Sequence, residues 1–109
     1  MSFSGYRSMW LFAMFDLPVV TDEARKKYNQ FRKFLLKEGF MMLQFSVYAR
    51  YCGSEERSEG FRRRLRKVIP PEGQVRLLTV TDYQFGKMEV YCGKKQVPAE
   101  KPPEQIMLF

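Results

Sequence analysis

The chain has 109 residues, with 19 lysines and arginines against 12 aspartates and glutamates and no histidine. That length makes one domain, since a second core is usual only well beyond about 150 residues, and a 45% hydrophobic, 16% aromatic composition excludes a chain that is disordered for lack of apolar surface. Without histidine, Ser-His-Asp chemistry, histidine zinc sites and the commonest general base are all excluded, so any catalysis must come from carboxylates with a metal.

The first predicted element is the apolar run Met9–Phe15, which has apolar residues on both faces, as a central strand covered on each side would. It stops at Asp16, just before Leu17-Pro18. Thr21 or Asp22 is a good N-cap, and Ala24, Tyr28, Phe31 and Leu35 then repeat at four, three and four residues, with Phe34 widening the stripe. This is an amphipathic helix that Gly39 should end. Phe40–Gln44 and Ser46–Cys52 read as strands, joined either as a tight hairpin or as one long bent strand. In "FSVYARY", Phe45, Val47, Ala49 and Tyr51 alternate with Ser46, Tyr48 and Arg50. Ser54 caps a second helix with Phe61, Leu65, Val68 and Ile69 as its expected buried stripe, and "PPEG" ends it. Gln74–Thr81 is a further strand. Gln84–Tyr91 is a candidate strand after an Asp82-Tyr83 turn. The fold class is therefore α+β, ferredoxin-like β-α-β-β-α-β with an extra C-terminal strand, spanning residues 1–95. Residues 96–109 form a tail interrupted by Pro98, Pro102 and Pro103 and apolar at its end.

The net charge of +7 points to a polyanionic partner, because a positive field attracts phosphate backbones and releases their counterions. Lys26, Lys33 and Lys37 lie on one row of the first helix, Arg25 and Arg32 on the next, and "FRRRLRK" in the second helix holds Arg62, Arg63, Arg66 and Lys67. A single basic stripe reads first as a solvated face. Two such helices packed on one face of a sheet would form one positive surface that grips duplex backbone without reading bases. An anionic membrane is the competing partner, but no stretch reaches the roughly 20 apolar residues of a spanning helix. The N-terminal run lacks a signal-peptide layout. Cys52 and Cys92 are expected as reduced thiols of a cytoplasmic protein. An RNA recognition motif shares the strand order, but its aromatic signature is missing from "SVYARYC".

The strand ending in "FDLP", the segment "FRKFLLKEGFMMLQFSVYAR" and the strand "GQVRLLTVTDYQF" together resemble the CRISPR-associated protein 2 family, over about residues 8 to 92. Gly39 followed by Gln44-Phe45-Ser46-Val47-Tyr48 is the most specific piece. The resemblance implies a homodimer that bridges a partner integrase, CRISPR-associated protein 1, binds double-stranded DNA and serves spacer acquisition as a scaffold. It also implies, for some members, metal-dependent nuclease activity on RNA or duplex DNA through the aspartate that falls on Asp16.

Asp16 thus carries two readings. It caps the Leu17-Pro18 turn, or two copies at a dimer axis hold a bridging Mg²⁺ that polarises a phosphodiester. Members with nuclease activity often have tyrosine where this chain has Phe15, and some have arginine where it has Met42. Asp16 is therefore expected to be able to bind a metal, with nuclease activity weak or outside the protein's function. The tail end, with Ile106, Leu108 and Phe109, either folds back on its own sheet or docks on the partner, as strand addition allows.

Overall fold

In the computed structural model, which describes residues 8–103, β1 (Met9–Asp16) runs through the middle of a four-stranded antiparallel sheet. Its neighbours are β3 (Val47–Tyr51) and β4 (Gln74–Thr81), with β2 (Met41–Gln44) beyond β3. The order β2-β3-β1-β4 is that of a ferredoxin-like sheet. Because side chains alternate along a strand, β1 feeds two cores. Leu11, Ala13 and Phe15 enter the larger one, and Trp10 enters a second on the opposite face with Phe12 against it.

Two helices cover the first face. α1 (Asp22–Lys37) starts at Thr21, whose hydroxyl accepts from the Ala24 N–H at 3.0 Å, and buries Phe31 and Leu35. α2 (Glu55–Arg66) starts at Ser54, which accepts from the Arg57 N–H at 3.1 Å, and buries Phe61 and Leu65. All four apolar side chains join the core of Leu11 and Phe15. Val68 and Ile69 do not extend this stripe as expected: both are exposed. The Lys67 and Val68 N–H groups bond three residues back, to Arg64 and Leu65, which tightens the last turn. Pro70 and Pro71 then prevent another turn.

β2 and β3 form a hairpin closed by Phe45 and Ser46, with Ser46 at φ 64°. Left-handed backbone at this second loop residue lets the chain reverse within two residues. The expected strand over 84–91 is instead α3 (Asp82–Gly86) followed by β5 (Val90–Cys92), which among the described residues pairs only with β6 (Lys95–Val97). A capping box forms α3: the Thr81 hydroxyl accepts from the Gln84 N–H, and the Gln84 side chain accepts from the Thr81 N–H. It delivers Phe85 flat onto Trp10, centroids 3.9 Å apart, while the indole N–H donates to Asp82 at 2.7 Å. Ala99, within the tail, also packs on this cluster. No helix among the described residues is long and apolar enough to cross a membrane.

Gly73 shows how closely β4 meets the end of β1. At φ +89°, any Cβ there would lie 2.5 Å from the Asp16 carbonyl oxygen. Gly53 shares the backbone conformation (φ +81°) but faces open space. Gly73→Ala should therefore destabilise the fold by about 3 kcal/mol, and Gly53→Ala by only about 1 kcal/mol, in denaturant titrations. Equal losses would show that the approach to Asp16 is not tight.

Both cysteines are free thiols, Cys52 buried and Cys92 exposed. Burial pushes the Cys52 thiol up to about 11. Since its folded value lies above its unfolded one, the protonated group favours the fold below pH 9, and this contribution is lost as pH rises through about 11. Iodoacetamide at pH 8 should alkylate Cys92 alone in the native protein and both cysteines in denaturant, read by intact mass.

Candidate nucleic-acid interface

Asp16 is the last residue of β1, and its side chain is exposed. Strand alternation puts it on the face of Trp10, Phe12 and Met14, away from the helices. Among the described residues its carboxylate accepts no hydrogen bond and makes no ion pair, so the turn-capping interaction is not formed. The backbone around it is held firmly: the Phe15 N–H donates to the Ser46 carbonyl at 3.0 Å, and β4 lies tight against it at Gly73.

The register puts Gln74 opposite Asp16 and Arg76 opposite Met14, so both share its face. Arg76 donates to the Gln74 side chain at 3.4 Å. Arg76 is a cation that the linear sequence did not single out. Its only signal was position within the alternation of "QVRLL", and without the β1–β4 register that does not locate it beside Asp16.

Phe15 is buried, edge-on to Phe31 at 5.1 Å and stacked on Tyr48 at 5.6 Å. A hydroxyl is therefore replaced here by packing. Met42 pairs with Tyr48, whose side chain lies in the helix-side core, so Met42 points to the opposite face from Asp16. No group of three His, Cys, Asp or Glu residues comes together among the described residues. A metal at Asp16 would therefore need oxygen ligands from beyond any such cluster.

The basic residues divide by engagement. Lys26, Lys33 and Lys37 on α1, with Arg63 on α2 and Lys67 just after it, are exposed and have no side-chain partner among the described residues. Arg66 donates to Glu59 at 2.9 Å, which holds that carboxyl below its usual range. Arg25 pairs with Asp22 and donates to the Val19 and Val20 carbonyls at 3.1 Å. Exposed pairs of this kind contribute under about 1 kcal/mol, so phosphate can displace them. Arg62 is different: half-buried, it donates to the Thr79 hydroxyl and ties α2 to β4. Arg64 links the helices by donating to Glu38 at 2.9 Å and lies over the Phe61 ring at 4.7 Å. The two basic helices are therefore adjacent on one face of the sheet. Ile106, Leu108 and Phe109 lie outside the described residues.

Known proteins match this sequence. The family described as "CRISPR associated protein Cas2" matches residues 9–88. The CRISPR-associated endoribonuclease Cas2 of Parvibaculum lavamentivorans is 52% identical over 93% of this chain and 100% of its own. The protein of the same name from Flavobacterium psychrophilum is 46% identical over 95% and 90%. A third, from Paracidovorax avenae, is 42% identical over 97% and 98%. The match spans the whole sheet, both long helices and α3, and on that ground the chain belongs to the Cas2 family of CRISPR-associated proteins.

Proposed function

We propose that this chain is a double-stranded DNA-binding, dimeric scaffold subunit of a spacer-acquisition complex, working in the cytoplasm with the integrase CRISPR-associated protein 1. The observation that carries this reading is the division of labour between the two sides of the sheet. One side presents two adjacent basic helices. The other, beyond the Trp10–Phe85 cluster, leaves Phe12 and Met14 only half-buried and Leu78 49% exposed. A phosphate backbone suits the first surface by charge. A second copy suits the other, since a C₂ pairing would cover the same apolar patch on both chains. The segment Pro98–Pro102, lining a groove with Phe85 and Met88, leads toward the apolar tail end, the candidate contact for the integrase.

Reversing Arg63, Arg66 and Lys67 to glutamate should weaken duplex binding and flatten its salt dependence, by about one unit of log–log slope for each phosphate no longer neutralised. The check is fluorescence anisotropy over a salt series. An unchanged affinity and slope would remove α2 from the DNA surface.

A second reading is carried by Asp16: exposed, unengaged among the described residues and repeated in a dimer, it would form a carboxylate pair able to hold Mg²⁺. The relatives' name, endoribonuclease, agrees with it. A bound Mg²⁺ would polarise the phosphodiester and activate water. The chain's own part would be to hold the two carboxylates on the rigid end of β1 and to offer Arg76 to a phosphate oxygen. Asp16→Ala separates the readings when spacer integration with the cognate integrase is measured beside Mg²⁺-dependent cleavage of RNA. A scaffold should integrate at the wild-type rate with Asp16→Ala, whereas collapse of integration in an intact complex would make the carboxylates part of the mechanism.

A further inference from the structure

The hairpin turn beside Asp16 carries a side chain that neither reading uses. Phe45 is 79% exposed, in a two-residue loop where small polar residues are the rule. Yet it is not loose. Its ring stacks on Tyr28 of α1, centroids 6.2 Å apart and planes 25° apart, so one face is supported and the other is open. The loop is fixed on both sides. The Tyr28 hydroxyl lies 3.3 Å from the Ser46 hydroxyl, and the Ser46 carbonyl accepts from the Phe15 N–H. Ser46 itself sits in left-handed backbone, which costs a non-glycine residue about 1 kcal/mol or more. The turn thus gives up local stability to hold an aromatic ring in water, next to the residue that precedes Asp16.

We propose that Phe45 is a stacking platform for an unpaired nucleobase, placing a single strand beside the end of β1. The inference rests on the nucleic-acid reading above and extends it to a second kind of strand. Aromatic rings bind single strands because every base has a π-face, and a ring already held in place loses little freedom on binding. Within a duplex the base faces are covered by their neighbours, so the site favours unpaired strands. Arg32, one turn along α1 from Tyr28 and without a side-chain partner among the described residues, supplies the cation that a strand's phosphate needs at such a platform. A second copy of the chain is a poorer occupant. The face proposed for dimerisation is that of Phe12 and Leu78, whereas Phe45 leans onto α1 on the other side of the sheet.

The test is anisotropy with labelled single-stranded RNA and DNA of about 12 nucleotides, and with a matching duplex, on the wild-type protein and on Phe45→Ala, Phe45→Leu and Phe45→Trp. Phe45→Ala should lose about 5- to 100-fold in affinity for single strands and nothing for duplex. Phe45→Leu keeps apolar area without a π-face and should not rescue. Phe45→Trp should bind as wild type, and its exposed indole should be quenched by the strand, an effect the buried Trp10 cannot give. Equal losses on RNA and DNA support a site that reads only the base, while a loss on RNA alone supports one that also touches the ribose. Unchanged single-strand affinity in Phe45→Ala, wild-type binding by Phe45→Leu, or an equal loss on duplex overturns the proposal. So does a change of oligomeric state in Phe45→Ala without a change in binding, since Phe45 would then be a protein contact. If the wild type binds single strands through Phe45 but fails to bind duplex, the scaffold reading falls and this one stands.

Discussion

The period-two alternation of β1 is the constraint on which the rest of the molecule depends. Leu11, Ala13 and Phe15 can enter the helix-side core only if Trp10, Phe12, Met14 and Asp16 point the other way. A one-residue slip would put Asp16 among Phe31 and Tyr48, where a carboxylate has no partner to offset its desolvation. The core that stabilises the domain is thus also what holds the carboxylate outside. With β3 and β4 both hydrogen-bonded to β1, and Gly73 allowing β4 to close against the Asp16 backbone, the exposed acid stands on a rigid base.

The two faces of the sheet are covered by different means. On one, capped helices bury whole aromatic and leucine side chains and turn their cations outward. The Arg64–Glu38 link joins those helices, with Arg64 steadied over the Phe61 ring of its own helix. On the other, among the described residues, the end near Trp10 is closed by the short helix α3 and the Trp10–Phe85 stack. Such a short helix has too few hydrogen bonds to stand alone. It persists because its capping box and the Trp10–Asp82 bond hold it on a packed aromatic pair. What remains is a half-covered apolar strip with Asp16 and Arg76 at its far end, and that contrast gives the molecule its two different surfaces.

Several residues of the candidate site come together where local preference alone would not place them. Ser46 adopts left-handed backbone, Phe45 is held in water, and Arg76 shares a face with Asp16 across a strand pair. Ser46 and Phe45 depart from what their residue types favour, and all three lie at the same end of the sheet, around the last residues of β1. That end is also the one left open by α3. Structural effort spent around an open site is the usual mark of a binding surface.

The order of elements, both long helices with their caps, and the central strand ending at Asp16 were legible in the sequence, because periodicity and capping are set by residues a few positions apart. The family was legible for the same reason, as its motifs are contiguous. Residues 84–91 have the apolar content of a strand, but the Thr81–Gln84 capping box starts a helix there, and the Trp10 ring, distant in the chain, holds Phe85 on it. Val68 and Ile69 continued a helical stripe on paper, but the last turn of α2 tightened and the prolines ended it. The position of Arg76, the engagement of Arg62 by Thr79 and the support of Phe45 by Tyr28 were decided by tertiary structure alone, because each depends on which strand or helix lies beside which, and pairing between distant segments leaves no trace in the local pattern.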